Sequence, residues 1–166
     1  MKRGVNYFNW IGESTYQRPD CVFISHQKND RKAAKLIADF LLDNGISVYF
    51  DEYDTSIDRR DPNKLTASIQ RGIDYSSHML VLISRNTLHS LWVPWEVGYG
   101  YDKTDLSILT LKGIEDYELP DYLKTTKIRR NYNDLKSLII SIKPSFINEA
   151  RDSYFSNSNP LSNILD

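Results

Sequence analysis

The chain has a single cysteine, Cys21, among its 166 residues. One thiol excludes an internal disulfide framework and a multi-cysteine zinc site, and it favours a reducing compartment, so we expect a cytoplasmic protein. No apolar run approaches the roughly 20 residues that span a membrane. No apolar stretch typical of a signal peptide follows Lys2 and Arg3. We therefore expect no membrane association.

Neither sign of charge dominates, since the chain has 21 basic and 22 acidic residues and a formal net charge of −1. Binding along a nucleic acid requires a basic surface, so we expect no nucleic-acid partner. The sequence has no Walker A or HExxH motif, and its three histidines lack metal-ligand spacing, so we expect no metal site. The aromatic content is high, at 12%. Composition alone does not assign these rings to a core, a pocket or an interface.

A strand, a helix and a second strand follow one another early in the chain. The unbroken apolar run 21–24 predicts a strand that is buried on both faces. Asn29 or Asp30 is placed to cap a helix, because apolar residues recur at helical spacing over 33–41. The alternating segment 46–50 predicts the second strand. Together they form a βαβ unit, whose crossover we expect to be right-handed.

The alternation of helices and strands continues to residue 142. The further predicted elements are a loop at 51–62, a helix at 62–75, a strand at 79–83, a helix at 91–101, a strand at 106–111, a loop at 112–125, a strand at 126–128 and a helix at 134–142. Five strands alternating with helices predict an α/β, flavodoxin-like three-layer fold. Its five-stranded sheet should be mostly parallel, with strand order 2-1-3-4-5.

The composition divides the chain into three parts. We predict an N-terminal arm at 1–19, a domain at 20–143 and a C-terminal extension at 144–166. The arm carries aromatic residues such as Trp10, so we expect it to pack on the domain or on a partner. The last residues, 151–166, are rich in serine and asparagine and are expected to be loosely held.

In such a fold, ligands bind beyond the carboxyl ends of the strands, where the strand order reverses. Ser25 and His26 stand at one such end, where they either contact a ribose or phosphate or simply end the strand. Asp51 follows the second strand and either contacts substrate or binds loop amides. Ser84 follows the third strand, and its side chain either forms a turn or cap or contacts a ligand.

Three segments in order resemble the Toll/interleukin-1 receptor (TIR) domain family, with the likeness running from Asp20 to Ile142. The first strand and its loop read VFISHQKND, the second strand and the family's BB loop read ISVYFDEYD, and the Ser…Trp-x-x-x-Glu region reads RGIDYSSHMLVLISRNTLHSLWVPWE. The chain also resembles the short bacterial TIR proteins of anti-phage defence, such as the signalling subunit of Thoeris systems.

The resemblance implies an enzyme that consumes NAD⁺. Many such TIR domains cleave the nicotinamide N-glycosidic bond, as NAD⁺ glycohydrolases or ADP-ribosyl cyclases, and yield ADP-ribose or a cyclic isomer as an immune signal. NAD⁺ is then the substrate, and no cofactor is expected. The implied partners are other copies of the chain, through TIR–TIR contacts, and a downstream effector that senses the product.

The glutamate of the Trp-x-x-x-Glu motif is catalytic in the family, and here it is Glu96, with Trp92 four residues earlier on the same helical face. A carboxylate suits the reaction, because an oxocarbenium-like ribosyl centre develops as nicotinamide leaves. Trp92, Trp95 and Tyr99 either wall a pocket around Glu96 or pack in the core, with packing favoured for Trp95 and Tyr99. Ser84 either bonds to Glu96 or forms a turn. The predicted substrate-binding residues are Ser25, His26, Asp51, Ser84 and Trp92.

Two other functions remain open from the sequence. A non-catalytic TIR module would recruit partners through its BB loop and helix faces. An enzyme similar to the nucleoside deoxyribosyltransferases would use a glutamate at the N-glycosidic bond of a deoxynucleoside. Release of nicotinamide from NAD⁺ separates the favoured enzyme from both.

Overall fold

Strands and helices alternate through the part of the chain that the structure, a computed structural model, describes: residues 18–50, 58–147 and 158–166. The strands are β1 Arg18–Ser25, β2 Ser47–Tyr49, β3 Ser76–Ile83, β4 Asp105–Thr110 and β5 Lys127–Arg129. The α-helices are α1 Arg31–Asp43, α2 Pro62–Tyr75, α3 Trp92–Gly100, α4 Asp121–Lys124 and α5 Tyr132–Ile142. Most of the predicted elements are therefore confirmed within a few residues.

The five strands form one sheet in the order β2-β1-β3-β4-β5. Every pairing in this sheet is parallel, and Ser25 at the end of β1 lies beside Val81 of β3. The predicted fold class and strand order are confirmed. Because β1 leads to β2 on one side and β3 leads to β4 on the other, the strand order reverses between β1 and β3. The carboxyl ends of these two strands therefore mark the expected place for a ligand.

Helices cover both faces of the sheet. One core cluster joins α1 and α5 to residues such as Val22 and Leu80. The other joins α2, α3 and the segment around α4 to the opposite face, including Phe23 and Val81. The run Met79–Ile83 is fully buried, because both faces of this central strand are covered.

Local chemistry explains where the flanking helices begin and end. Asp61 accepts hydrogen bonds from the backbone amides of Asn63 and Lys64, which otherwise lack partners in the first turn of α2. Pro62 occupies the first position of that helix, where no amide hydrogen is needed. After α1, Gly45 adopts a φ of 72°, which favours glycine and ends the helix.

The expectation of a loosely held C-terminus is wrong for residues 158–166. Leu165 is fully buried and Leu161 nearly so, both against the cluster of α1 and α5. The backbone amides of Lys112 and Tyr132 donate to the carbonyls of Ile164 and Asp166. Two apolar anchors within a polar segment therefore hold it to the domain.

The segment 112–125 is also more ordered than the predicted loop. A 3-10 turn at Asp116–Glu118 and the short helix α4 occupy it, and Leu119 and Leu123 are buried. The proline and glycine in this stretch favour a loop by local propensity, but tertiary packing stabilises helical turns there. Among the described residues no helix has the length and hydropathy needed to cross a membrane. Most of the predicted arm, 1–17, lies outside the described residues.

Candidate functional site

The side chains of Ser25 and Glu96 meet at the carboxyl end of β1. The Ser25 hydroxyl donates a hydrogen bond of 2.5 Å to Oε2 of Glu96. Ser25 is 1% exposed and Glu96 is 8% exposed. The two residues are far apart in sequence, so the fold itself brings them together. A hydroxyl that donates to a carboxylate forms a short, charge-assisted hydrogen bond.

Glu96 lies on the buried stripe of α3. Val93, Val97 and Gly100 share that stripe at helical spacing and are also buried. Ser90 accepts a hydrogen bond from the Val93 amide at the start of the helix, and Pro94 is tolerated because it lies in the first turn. A carboxylate at a core-facing position is costly without a hydrogen-bond partner, and the Ser25 hydroxyl is one such partner.

The close approach of α3 to the sheet depends on Gly100. A Cβ atom at this position would lie 2.6 Å from Sδ of Met79, whereas a Cβ at Gly98 would have no atom of the described residues within 4 Å. Gly100 therefore serves helix packing, whereas Gly98 does not.

The predicted aromatic wall is a row of rings along α3. Trp92 contacts Trp95 edge-on, with ring centroids 5.6 Å apart, and Trp95 stacks on Tyr99 at 5.9 Å. Trp92 is 44% exposed and Trp95 is 36% exposed. The Tyr99 hydroxyl donates to Asp74, and the ammonium group of Lys103 lies over the Tyr99 ring. The exposed end of this row, at Trp92, is therefore the part open to a ligand or partner.

His26 lies beside the end of β2. Its ring contacts that of Phe50 with centroids 4.9 Å apart, and its Nδ1 lies 3.3 Å from the carbonyl oxygen of Ile24. Phe50 is almost fully buried and directly precedes Asp51. Asp51, the predicted site residue of the BB loop, lies outside the described residues.

Ser84 is bonded to Asp30 and not to Glu96. Its hydroxyl donates to Oδ2 of Asp30 at 2.5 Å and accepts from the backbone amides of Asn86 and Thr87. The turn-forming role is the one observed, and the alternative bond to Glu96 is absent because the single hydroxyl proton goes to Asp30. Whether Ser84 also contacts substrate stays a prediction.

Of the two predicted caps, Asn29 and Asp30, Asp30 occupies the N-cap position of α1, but its side chain has another role. It stands at the start of α1, but its side chain makes no capping hydrogen bond there. Its carboxylate instead accepts from Ser84 and Asn86, on the segment after β3, and the Thr87 hydroxyl lies 3.4 Å from its Oδ2.

Comparison with known proteins identifies the family of the chain. A sequence model of the TIR domain family matches residues 22–139, which is most of the chain. The chain belongs to the TIR domain family.

This TIR domain is 39% identical over 80 residues to a protein of Bacillus cereus named as a probable 3′ cyclic ADP-D-ribose synthase, ThsB′. The alignment covers 47% of this chain and 42% of that protein, so the chain spans less than half of the relative's length.

Two solved structures show the same fold as this TIR domain. The metazoan TIR-STING receptor of C. gigas has a TM-score of 0.61 at 21% identity, covering 76% of this chain and 41% of that one. The TIR domain of the Toll-related receptor TRR-2 of Hydra magnipapillata has a TM-score of 0.54 at 18% identity, covering 76% of this chain and 95% of that one.

Proposed function

We propose that this TIR domain consumes NAD⁺ by breaking the bond between nicotinamide and ribose, with Glu96 as the catalytic residue. The observation that carries the proposal is the buried Glu96 carboxylate, held by the Ser25 hydroxyl at the carboxyl end of β1. The relative named as a probable 3′ cyclic ADP-D-ribose synthase supports a cyclic ADP-ribose product. The TIR proteins of anti-phage defence that the chain resembles suggest that the product is an immune signal.

The chemistry requires little from the protein beyond charge and position. The bond from the ribose anomeric carbon to the nicotinamide nitrogen breaks, and its electron pair neutralises the cationic ring, so nicotinamide departs without a general acid. Positive charge develops on the ribose, and a fixed carboxylate in a poorly hydrated place stabilises it more than a solvated one would. Water then attacks to give ADP-ribose and a proton. Attack by a nucleophile of the same molecule gives a cyclic isomer and a proton.

The neighbouring residues have distinct roles in this proposal. Ser25 orients the Glu96 carboxylate through their hydrogen bond. His26 and Trp92 flank the site from the β1 loop and the start of α3, where their rings offer surfaces for the nicotinamide or ribose. Asp51, in the BB loop, is proposed to contact the substrate. Ser84 shapes the loop after β3 through its hydrogen bond to Asp30, and it stays a proposed substrate contact.

Assembly completes the proposal. We propose that TIR–TIR contacts bring a second copy to the site and that a separate effector senses the nucleotide product. Leu91, at the start of α3, is 90% exposed, and Trp92 beside it is 44% exposed, so this end of the helix offers apolar area to a partner. The activity should therefore rise more steeply than linearly with protein concentration.

Chromatography of the reaction products tests the proposal. Concentrated protein is incubated with NAD⁺, with and without lysate from phage-infected cells, and nicotinamide, ADP-ribose and cyclic ADP-ribose isomers are separated. Nicotinamide release by the parent and its loss in Glu96→Gln support the enzyme. A parent that forms complexes but releases no nicotinamide under any condition supports the interaction module instead. Turnover of free deoxynucleosides without NAD⁺ cleavage supports the deoxyribosyltransferase-like alternative.

A further inference from the structure

Asp30 joins two loops at the carboxyl edge of the sheet. Its Oδ1 accepts a hydrogen bond of 2.7 Å from Nδ2 of Asn86, and its Oδ2 accepts one of 2.5 Å from the hydroxyl of Ser84. The Thr87 hydroxyl lies 3.4 Å from the same Oδ2. Asp30 is 8% exposed, so both carboxylate oxygens are satisfied within the protein, as a buried charge requires.

These bonds replace the local role that Asp30 would ordinarily have. An aspartate at the start of a helix usually accepts from the amides of the first turn, but Asp30 makes no such bond. The positive end of the α1 dipole still favours a carboxylate at this position. The side chain therefore connects segments that are more than 50 residues apart, at the expense of a capping interaction that its position offers.

The two connected loops are the ones that adjoin the Ser25–Glu96 pair. Ser25 ends β1, and Asp30 follows five residues later in the same connection to α1. On the other side, Thr87 is 5% exposed and its hydroxyl also lies 2.8 Å from the Leu82 carbonyl, which fixes the start of the segment that leads into α3. That segment ends at Trp92, four residues before Glu96. Asp30 thus sets the distance between the loop after Ser25 and the loop before Glu96.

We propose that Asp30 is a positioning residue for the NAD⁺ site: its carboxylate bridge to Ser84, Asn86 and Thr87 holds the His26 loop and the Trp92 end of α3 at the separation that admits substrate. This inference rests on the proposed function. The bridge does not touch the Ser25–Glu96 bond, so its loss should weaken substrate binding more than the chemical step.

The bridge can be broken and rebuilt with charge-matched variants. Asn86→Asp places two carboxylates at hydrogen-bond distance, and their repulsion should raise KM for NAD⁺ about tenfold, which corresponds to roughly 1.4 kcal/mol. The expected change in kcat is less than about threefold, because a lost binding interaction acts on KM alone.

The double variant Asp30→Asn/Asn86→Asp supplies the rescue. It exchanges the carboxylate and the amide across the same two positions, so the new amide at position 30 still accepts from Ser84 and donates to the new carboxylate at position 86. The KM of the double variant should return to within about threefold of the parent, because contacting residues are strongly non-additive.

Ile139→Val is the matched control for stability. Ile139 is fully buried in α5 and belongs to neither loop, and its substitution should cost about 1 kcal/mol of folding free energy with KM unchanged. The positioning role would be overturned if the KM of Asn86→Asp equalled that of the parent, or if the double variant were as impaired as the single one. Neither result would contradict the proposed NAD⁺-consuming activity. A parent that releases no nicotinamide would overturn the proposed function itself, and the positioning role with it.

Discussion

The Ser25 hydroxyl donates a 2.5 Å hydrogen bond to Oε2 of Glu96, and both side chains are buried. The bond joins the end of β1 to the inward stripe of α3. It accounts for how a helix that packs on the core can carry a carboxylate on its packed side. The proposed catalytic role of Glu96 depends on this pair.

Ser25→Ala should impair the reaction while leaving the fold intact. Loss of the hydroxyl removes a partner of a buried carboxylate and should lower the free energy of unfolding by about 1–3 kcal/mol. We expect kcat to fall at least about tenfold, because Glu96 is no longer held in one orientation. Steady-state kinetics and urea unfolding measure the two effects.

Ser68→Ala is the matched control for that experiment. Ser68 is also buried, on α2, and accepts a hydrogen bond from Arg71. The Ser68→Ala variant should have a lower free energy of unfolding and the same kcat as the parent. Equal losses of kcat in the two variants would mean that the Ser25 effect is one of general destabilisation.

Two glycines in α3 should respond to alanine in opposite directions. Gly98→Ala should raise the free energy of unfolding by about 0.5–1 kcal/mol, because the site is open and alanine favours helix. Gly100→Ala should lower it by about 1–3 kcal/mol, because the added Cβ would lie 2.6 Å from Met79 Sδ. Thermal and chemical unfolding of both variants check this pair. Two changes of the same sign would contradict the described packing of α3 on β3.

Acidification should destabilise the domain through His78. Burial lowers the pKa of His78, and the nearby Asp105 opposes that shift only in part. The unfolded chain therefore takes up this proton at a higher pH than the folded domain does. Well above the ordinary pKa of 6.5, His78 is neutral in both states and does not change the free energy of unfolding. As the pH falls below that value, the unfolded chain binds the proton more readily, so the free energy of unfolding decreases.

The pH effect is measured by urea unfolding at about pH 7.5 and pH 5.5. The parent should lose more stability between these values than His78→Gln does. The same loss in both proteins would show that the imidazole is not the group responsible.

The C-terminal anchor should matter as much as a core residue. Leu165 is fully buried, so Leu165→Ala should cost about 2–4 kcal/mol of folding free energy. Leu36→Ala, at a position 47% exposed, is the control and should cost less than about 1 kcal/mol. Equal effects of the two substitutions would indicate that residues 158–166 leave the domain in solution.

The parts of this protein that sequence predicts well are those with a local cause. The apolar run at 79–83 lies in β3, and its unbroken apolar composition predicts burial on both faces. Pro62 and Asn44–Gly45 delimit helices through backbone chemistry that acts within a few residues. The parallel strand order follows from the alternation of such elements.

The parts that sequence does not predict depend on contacts between distant segments. Asp30 carries an ordinary capping pattern, and only the fold reveals that its partners lie after β3. Leu165 stands in a serine- and asparagine-rich stretch, where two buried leucines outweigh the composition. The site shows the same limit, since the meeting of Glu96 with Ser25 required the register of β1 and the packing of α3.

The most direct test of the account is the rate of nicotinamide release from NAD⁺ by three proteins. These are the parent, Glu96→Gln, and Glu115→Gln as an isosteric change at an exposed glutamate. If Glu96 is the catalytic residue, Glu96→Gln loses at least about a hundredfold in kcat/KM, or roughly 2.7 kcal/mol of transition-state stabilisation. Glu115→Gln should match the parent. Equal release by the parent and Glu96→Gln would contradict the assignment of Glu96 as the catalytic residue.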